Sequence, residues 1–217
     1  MGDKLTKTTR QICYIVTSVI SFAIFIWLAV GVKWHLSFID KIDSYEHHVL
    51  TTVSGLSTTT VHFLSNLGSP LMGIVLITFI ALFLCHQKNF IAGALTETTM
   101  IVGNIIAELF KIIIARKRPS YQLYSDASYS FPSGHVFDTT LLVLVVITFI
   151  LPQIKNETYQ VVCGLLLIIW NGFIIFSRIY LGVHYFSDTV GSVALAIGLW
   201  TLMLIIKPMF DKQDSDD

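Results

Sequence analysis

Six apolar runs limit what this chain can fold into. A bilayer core about 30 Å thick is crossed by roughly 20 mostly apolar helical residues. Runs of that order cover residues 12–32, 70–86, 90–115, 134–151, 159–179 and 186–206. Backbone groups in hydrocarbon find no water, so each run must satisfy its own hydrogen bonds as a helix. The expected fold is therefore an all-α membrane protein: six transmembrane helices in one bundle, with 1–217 as a single domain. The run at 70–86 is short and is expected to extend or tilt. Pro152 and Pro208 follow the fourth and sixth runs, where a helix can stop at little cost. The first run follows Lys4, Lys7 and Arg10, and its length suits a span better than a cleaved signal. Charged residues make up 13% of the chain, against roughly 25% in an average soluble domain, which excludes a disordered chain. Net charge is zero, so no global field draws nucleic acid.

An even number of spans puts both termini on one side. With the termini inside, Lys4, Lys7, Arg10, Lys88, Lys155, Lys207 and Lys212 are internal; Lys33, Lys41, Lys111, Arg116, Lys117, Arg118 and Arg178 are external. Seven against seven does not orient the chain. Reserving Lys111, Arg118 and Arg178 for chemistry leaves seven against four, which favours cytoplasmic termini. Cys13, Cys85 and Cys163 then all lie near the reducing side. They lack metal-ligand spacing and read as small hydrophobes. Residues 33–69 mix Phe38, Ile39, Ile42, Val49 and Leu50 with Asp40, Lys41, Asp43 and Glu46, as an amphipathic segment lying on the outer face would. The acidic residues of 211–217 read as a solvated end.

Ionisable residues at membrane depth are costly and by default mark a functional site. Three clusters fall at one expected face. Lys111 precedes Arg118-Pro119 by seven residues, two helical turns, so a continuous helix would align both cations on one face. Arg116 and Lys117 read as residues reaching for the headgroups. The second cluster, Phe131-Pro132-Ser133-Gly134-His135, opens the fourth span. Free N–H groups, a hydroxyl and a dipole end suit a phosphate there, although a plain Ser N-cap is the commoner meaning. The third is Ser177-Arg178, then His184 and Asp188. Four residues apart on a helix, His184 and Asp188 can hydrogen-bond, fixing the imidazole tautomer.

In this order and spacing the clusters resemble the tripartite signature of the type 2 phosphatidic acid phosphatase family, the lipid phosphate phosphatase and vanadium haloperoxidase superfamily. The resemblance implies a six-helix bundle with a phosphatase site at its outer face that uses no metal and no cofactor. It implies His184 as nucleophile forming a phosphohistidine, Asp188 orienting its ring, and His135 protonating the leaving oxygen. Lys111, Arg118, Ser133, Gly134 and Arg178 would bind the phosphate. The implied partners are the bilayer and a membrane lipid phosphate: undecaprenyl pyrophosphate, phosphatidylglycerophosphate or phosphatidate. Val136 and Phe137 are bulkier than that pattern leads one to expect, Glu108 stands one turn before Lys111, and Asp138 one turn after His135. Two other readings compete: a phospho-headgroup transferase of the same superfamily, and a transporter, which would place its charges near the midplane and show inverted repeats.

Overall fold

The computed structural model describes residues 2–52, 56–124 and 128–211. The side chains of Glu46, Val49 and Leu50 and the acidic tail after residue 211 lie outside the described residues. Among the described residues the chain is all helical: α1 (Gly2–Lys33), α2 (Ser37–Thr52), α3 (Thr58–Asn66), α4 (Pro70–His86), α5 (Phe90–Ile114), α6 (Gly134–Val145), α7 (Glu157–Tyr180) and α8 (Phe186–Asp211). A π turn (Val146–Ile150) and a 3-10 turn (Leu151–Gln153) prolong α6. Six helical stretches are long and apolar enough to cross a membrane, as the hydropathy pattern predicts.

Local sequence explains where the helices begin. The Ser57, Ser69 and Asn156 side chains accept from the backbone N–H groups of Thr60, Met72 and Tyr159, capping α3, α4 and α7. Pro70 follows the Ser69 cap, where its missing N–H is not needed. Packing then sorts the helices. α8 is central and buries Leu195, Ala196 and Trp200, whereas α7 leaves Leu165, Leu166, Ile168 and Ile169 facing outward. Phe22 of α1 lies against Gly198 of α8, and Ser18 donates to the Gly198 carbonyl (3.1 Å). Phe131 and Phe137 have essentially no exposed surface, and Gly191 and Gly103 provide the space they fill. The bulk of Val136 and Phe137 beside His135 therefore serves the core.

The helix ends define a single polar face. Lys33, closing α1, donates to the carbonyls of Ile113 (2.7 Å) and Ile114 (3.4 Å), which α5 leaves without intrahelical partners. A Cβ on Gly134, opening α6, would stand 3.4 Å from Pro70 at the start of α4 and 3.9 Å from Lys111 Nζ near the end of α5.

Three expectations change. Residues 33–69 do not simply lie on the interface: Ile39 and Asp43, one turn apart on α2, are buried against the bundle. Pro208 does not end the last helix, which runs on to Asp211; a proline so near the helix end displaces few backbone bonds. Third, α5 stops at Ile114 because Ala115 is left-handed (φ 53°), so Lys111 and Arg118 do not share a helix face. Pro119 also disfavours helical backbone at Arg118.

The packing of Phe131 is testable. A Cβ at Gly191 would lie 2.8 Å from its ring, with no exposed surface to move into. Gly191→Ala should lower stability by about 1–3 kcal/mol, seen as a lower Tm in detergent. Gly172→Ala, whose Cβ meets nothing within 4 Å, should not.

Candidate active site

Lys111, in the last turn of α5, pairs with Glu108 one turn earlier (2.5 Å) and is 11% exposed. Its ammonium group lies beside Gly134, so the first and second clusters meet. Beyond α5 the chain leaves the helix and crosses the bundle end. Arg118 there donates to the Ser128 carbonyl (2.9 Å), the Ser128 hydroxyl (2.8 Å) and the Val183 carbonyl (2.7 Å). Its guanidinium also stands 3.0 Å from His184 Nε2, joining the first and third clusters.

The second cluster turns through a cis Phe131–Pro132 peptide into α6. The Ser133 N–H donates to Ser192 Oγ (2.7 Å), and the Ser192 hydroxyl donates to the Asp188 carbonyl (2.7 Å). The Ser133 side chain does not cap α6. Its hydroxyl is buried and has no hydrogen-bond partner among the described residues. The plain N-cap meaning of this serine is thus set aside, and its oxygen stays available beside the helix N-terminus. His135 follows in the first turn of α6, half-buried.

The third cluster spans the turn between α7 and α8. Arg178 is buried and donates to Ser65 of α3 (3.2 Å), while its carbonyl accepts from the N–H groups of Val183 (3.2 Å) and His184 (3.3 Å). His184 precedes α8 instead of lying on it. Its Nδ1 faces Asp188 Oδ2 at 3.5 Å but makes no hydrogen bond among the described residues. A guanidinium has donors only, so Nε2 next to Arg118 must accept and the ring proton sits on Nδ1, towards Asp188. Burial pushes the His184 imidazole down to about 4, with Arg118 and Arg178 acting in the same direction and Asp188 opposing them. The ring is neutral at pH 7, with the Nε2 lone pair turned towards the cations.

Several residues here escape the sequence reading. Arg116 does not reach for headgroups: it donates to Asp188 Oδ1 (2.5 Å) and to Asp43 Oδ2 (2.5 Å). Burial works against its charge, yet Asp188 and Asp43 together hold its pKa above the ordinary value. Ser65 holds both Arg178 and the Ser177 hydroxyl (3.0 Å). Asn104 donates to the buried Asp138 (2.8 Å), tying α5 to α6 beneath the site. Asp43 had one available signal, its place four residues after Ile39 on an apolar stripe; nothing in the spacing separates Arg116 from Lys117.

Residues 92–212 match the family model of the PAP2 superfamily. The chain belongs to the PAP2 superfamily. Phosphatidylglycerophosphatase B of Bacillus subtilis is 25% identical over 64% of this chain and 70% of its own length. Lipid A 4'-phosphatase of Porphyromonas gingivalis is 26% identical over 73% of this chain and 71% of its own. Sphingosine-1-phosphate phosphatase 1 of Rattus norvegicus is 26% identical over 70% of this chain and 35% of its own. The crystal structure of a transmembrane PAP2 type phosphatidylglycerolphosphate phosphatase from Bacillus subtilis shares the fold, with a TM-score of 0.74 and 22% identity over 91% of this chain and 96% of that one. This PAP2 chain is a multi-pass membrane protein with its three motif clusters gathered at one end of the bundle.

The state of His184 has a measurable consequence. In protein labelled with ¹⁵N in its histidine rings, His184 should stay neutral, with its proton on Nδ1, at pH 5.5; an imidazolium signal there would contradict the site's electrostatics. The linkage follows in sign. Because its folded pKa of about 4 lies below the ordinary 6.5, folding is fully favoured above 6.5 and this contribution is lost as pH falls from 6.5 through 4.

Proposed function

We propose that the protein is an integral-membrane lipid phosphatase that hydrolyses a phosphomonoester or pyrophosphate of a membrane lipid through a phosphohistidine on His184. The observation that carries this reading is His184, buried with its Nδ1 facing Asp188 and its Nε2 3.0 Å from the Arg118 guanidinium, a setting that favours a neutral ring with the proton on Nδ1. An imidazole in that state is a nucleophile, and a phosphate drawn to the cations meets it.

In the proposed reaction, Lys111, Arg118 and Arg178 hold the nonbridging oxygens, helped by the Ser133 hydroxyl and the Gly134 N–H. His184 Nε2 attacks phosphorus and the P–O bond to the lipid breaks. His135 gives its proton to the departing oxygen, and Asp188 stabilises the positive charge that develops on the phosphorylated ring. His135, now a base, takes a proton from water. The hydroxide attacks phosphorus, the P–N bond breaks, and phosphate leaves with His184 restored. The fixed cations do here what a metal does elsewhere, stabilising charge spread over the transferring group. Among the described residues no group of three or more His, Cys, Asp or Glu could hold a metal ion.

Two facts support a lipid substrate. The three relatives are named for lipid phosphatases. The motif clusters also lie at the ends of spanning helices, so a lipid's phosphate can reach them while its tail stays in hydrocarbon, saving about 0.8 kcal/mol of desolvation per CH₂. Phosphatidylglycerophosphate, phosphatidate and undecaprenyl pyrophosphate all offer that chemistry. With the termini cytoplasmic, the site opens at the outer face, and residues 1–217 act as one domain.

Purified protein in mixed micelles should release phosphate from long-chain lipid phosphates in EDTA, and vanadate should inhibit by mimicking five-coordinate phosphorus. Activity lost on chelation and restored by Mg²⁺ would refute the metal-free mechanism. Equal turnover of glucose 6-phosphate would refute the lipid assignment.

Leaving groups test His135. General acid catalysis contributes about 10²–10⁴-fold, and p-nitrophenolate needs little protonation. His135→Ala should therefore slow a lipid phosphate far more than p-nitrophenyl phosphate, whereas equal losses would remove His135 from that role.

A further inference from the structure

We propose that Arg116 and Asp43 form a positioning relay behind the nucleophile, locking Asp188 in the rotation and charge state that His184 requires. The inference rests on the proposed role of His184 and extends it to two further residues, Arg116 within the span of the first cluster and Asp43 outside all three. Asp43 also lies outside the 92–212 match to the family model.

The geometry is specific. Asp188 has no exposed surface and its two oxygens are divided. Oδ2 accepts from the Tyr185 N–H (3.0 Å) and faces His184 Nδ1 (3.5 Å), while Oδ1 takes Arg116 NH1 (2.5 Å). Arg116 is 11% exposed, lies over the Tyr185 ring (3.8 Å to its centre), and gives its other nitrogen to Asp43, which is 4% exposed. Asp43 also accepts from the Ser187 N–H (3.0 Å) and hydroxyl (2.8 Å), and that same hydroxyl oxygen accepts from Arg116 (2.8 Å). The line Asp43–Arg116–Asp188–His184 thus runs from α2, through the loop after α5, to the opening of α8.

Each link has a physical task. A buried carboxylate with one oxygen unpaired would turn to satisfy it; Arg116 holds Oδ1 and leaves Oδ2 for the imidazole. Arg116 also neutralises Asp188, so that the carboxylate orients the ring without drawing a proton onto Nε2. Asp43 compensates Arg116 from behind and holds it over Tyr185. Lys117, the next residue, is exposed and takes no part in this chain of contacts.

The test uses the full-length protein in detergent, with p-nitrophenyl phosphate as substrate and inorganic phosphate as competitive inhibitor. Outer partners of a ligating histidine are worth 10–100-fold at metal centres, which sets the scale. Arg116→Ala and Asp43→Asn should each lower kcat on the order of ten- to a hundred-fold. KM and the phosphate inhibition constant should stay within about twofold, because Lys111, Arg118 and Arg178 are untouched. Arg116→Lys should restore part of the lost kcat, and the double variant should be no slower than Arg116→Ala. A merely structural role would spoil phosphate binding along with turnover. Wild-type kcat in either variant, or kcat and phosphate binding falling together, would overturn the relay. If Arg116→Ala does not fold, the near-isosteric Asp43→Asn decides alone. His184→Ala is run alongside: if it still turns over, the phosphohistidine reading fails; if it is dead while Arg116→Ala is normal, only the relay does.

Discussion

Asp188 is a carboxylate with no exposed surface at the mouth of an apolar bundle, and much of the local structure follows from compensating it. A buried charge persists only when paired and hydrogen-bonded. Arg116 supplies the cation, but only if the chain turns sharply after α5 and crosses over the ends of its neighbours. Ala115 makes that turn in a left-handed conformation, which costs a non-glycine residue roughly 1–2 kcal/mol. Once the loop takes this path, Arg118 falls against Ser128, Val183 and His184.

The cations are arranged in advance of any phosphate. Lys111 leans on Glu108, Arg178 on Ser65, and Arg118 on two carbonyls and a hydroxyl. The neutral partners of Arg118 and Arg178 hold those cations in place without opposing their charge, whereas Glu108 partly offsets Lys111; fixed groups of this kind are what electrostatic preorganisation means for the proposed phosphate site. Burial, reinforced by Arg118 and Arg178, disfavours a second proton on His184, the state the proposed nucleophile requires. Ser133 completes the arrangement with a buried hydroxyl that its own helix does not use.

Hydropathy places six spans close to the helices observed, and motif order alone points Lys111, Arg118, Ser133, Gly134, Arg178, His184 and Asp188 to one end of the bundle. Both are properties of composition and spacing along the chain, and membrane crossing converts them directly into position: apolar length sets the span, and charges collect at its ends. The helix boundaries near the site were less legible. A spacing of seven suggests one helix face for Lys111 and Arg118, yet α5 ends four residues before Arg118.

The sequence alone determined the bundle, its family and the chemical groups available at one face, because each is written in local runs and fixed spacings. Only the tertiary structure decided that Arg116 and not Lys117 would turn inward, that Asp43 of α2 would meet it, and that Ser65 of α3 would hold Arg178. These pairings join residues 72 to 113 positions apart through loops whose paths depend on how the helix ends pack. A carboxylate's partner is chosen by desolvation at that junction, where only the cation that can be buried with it serves.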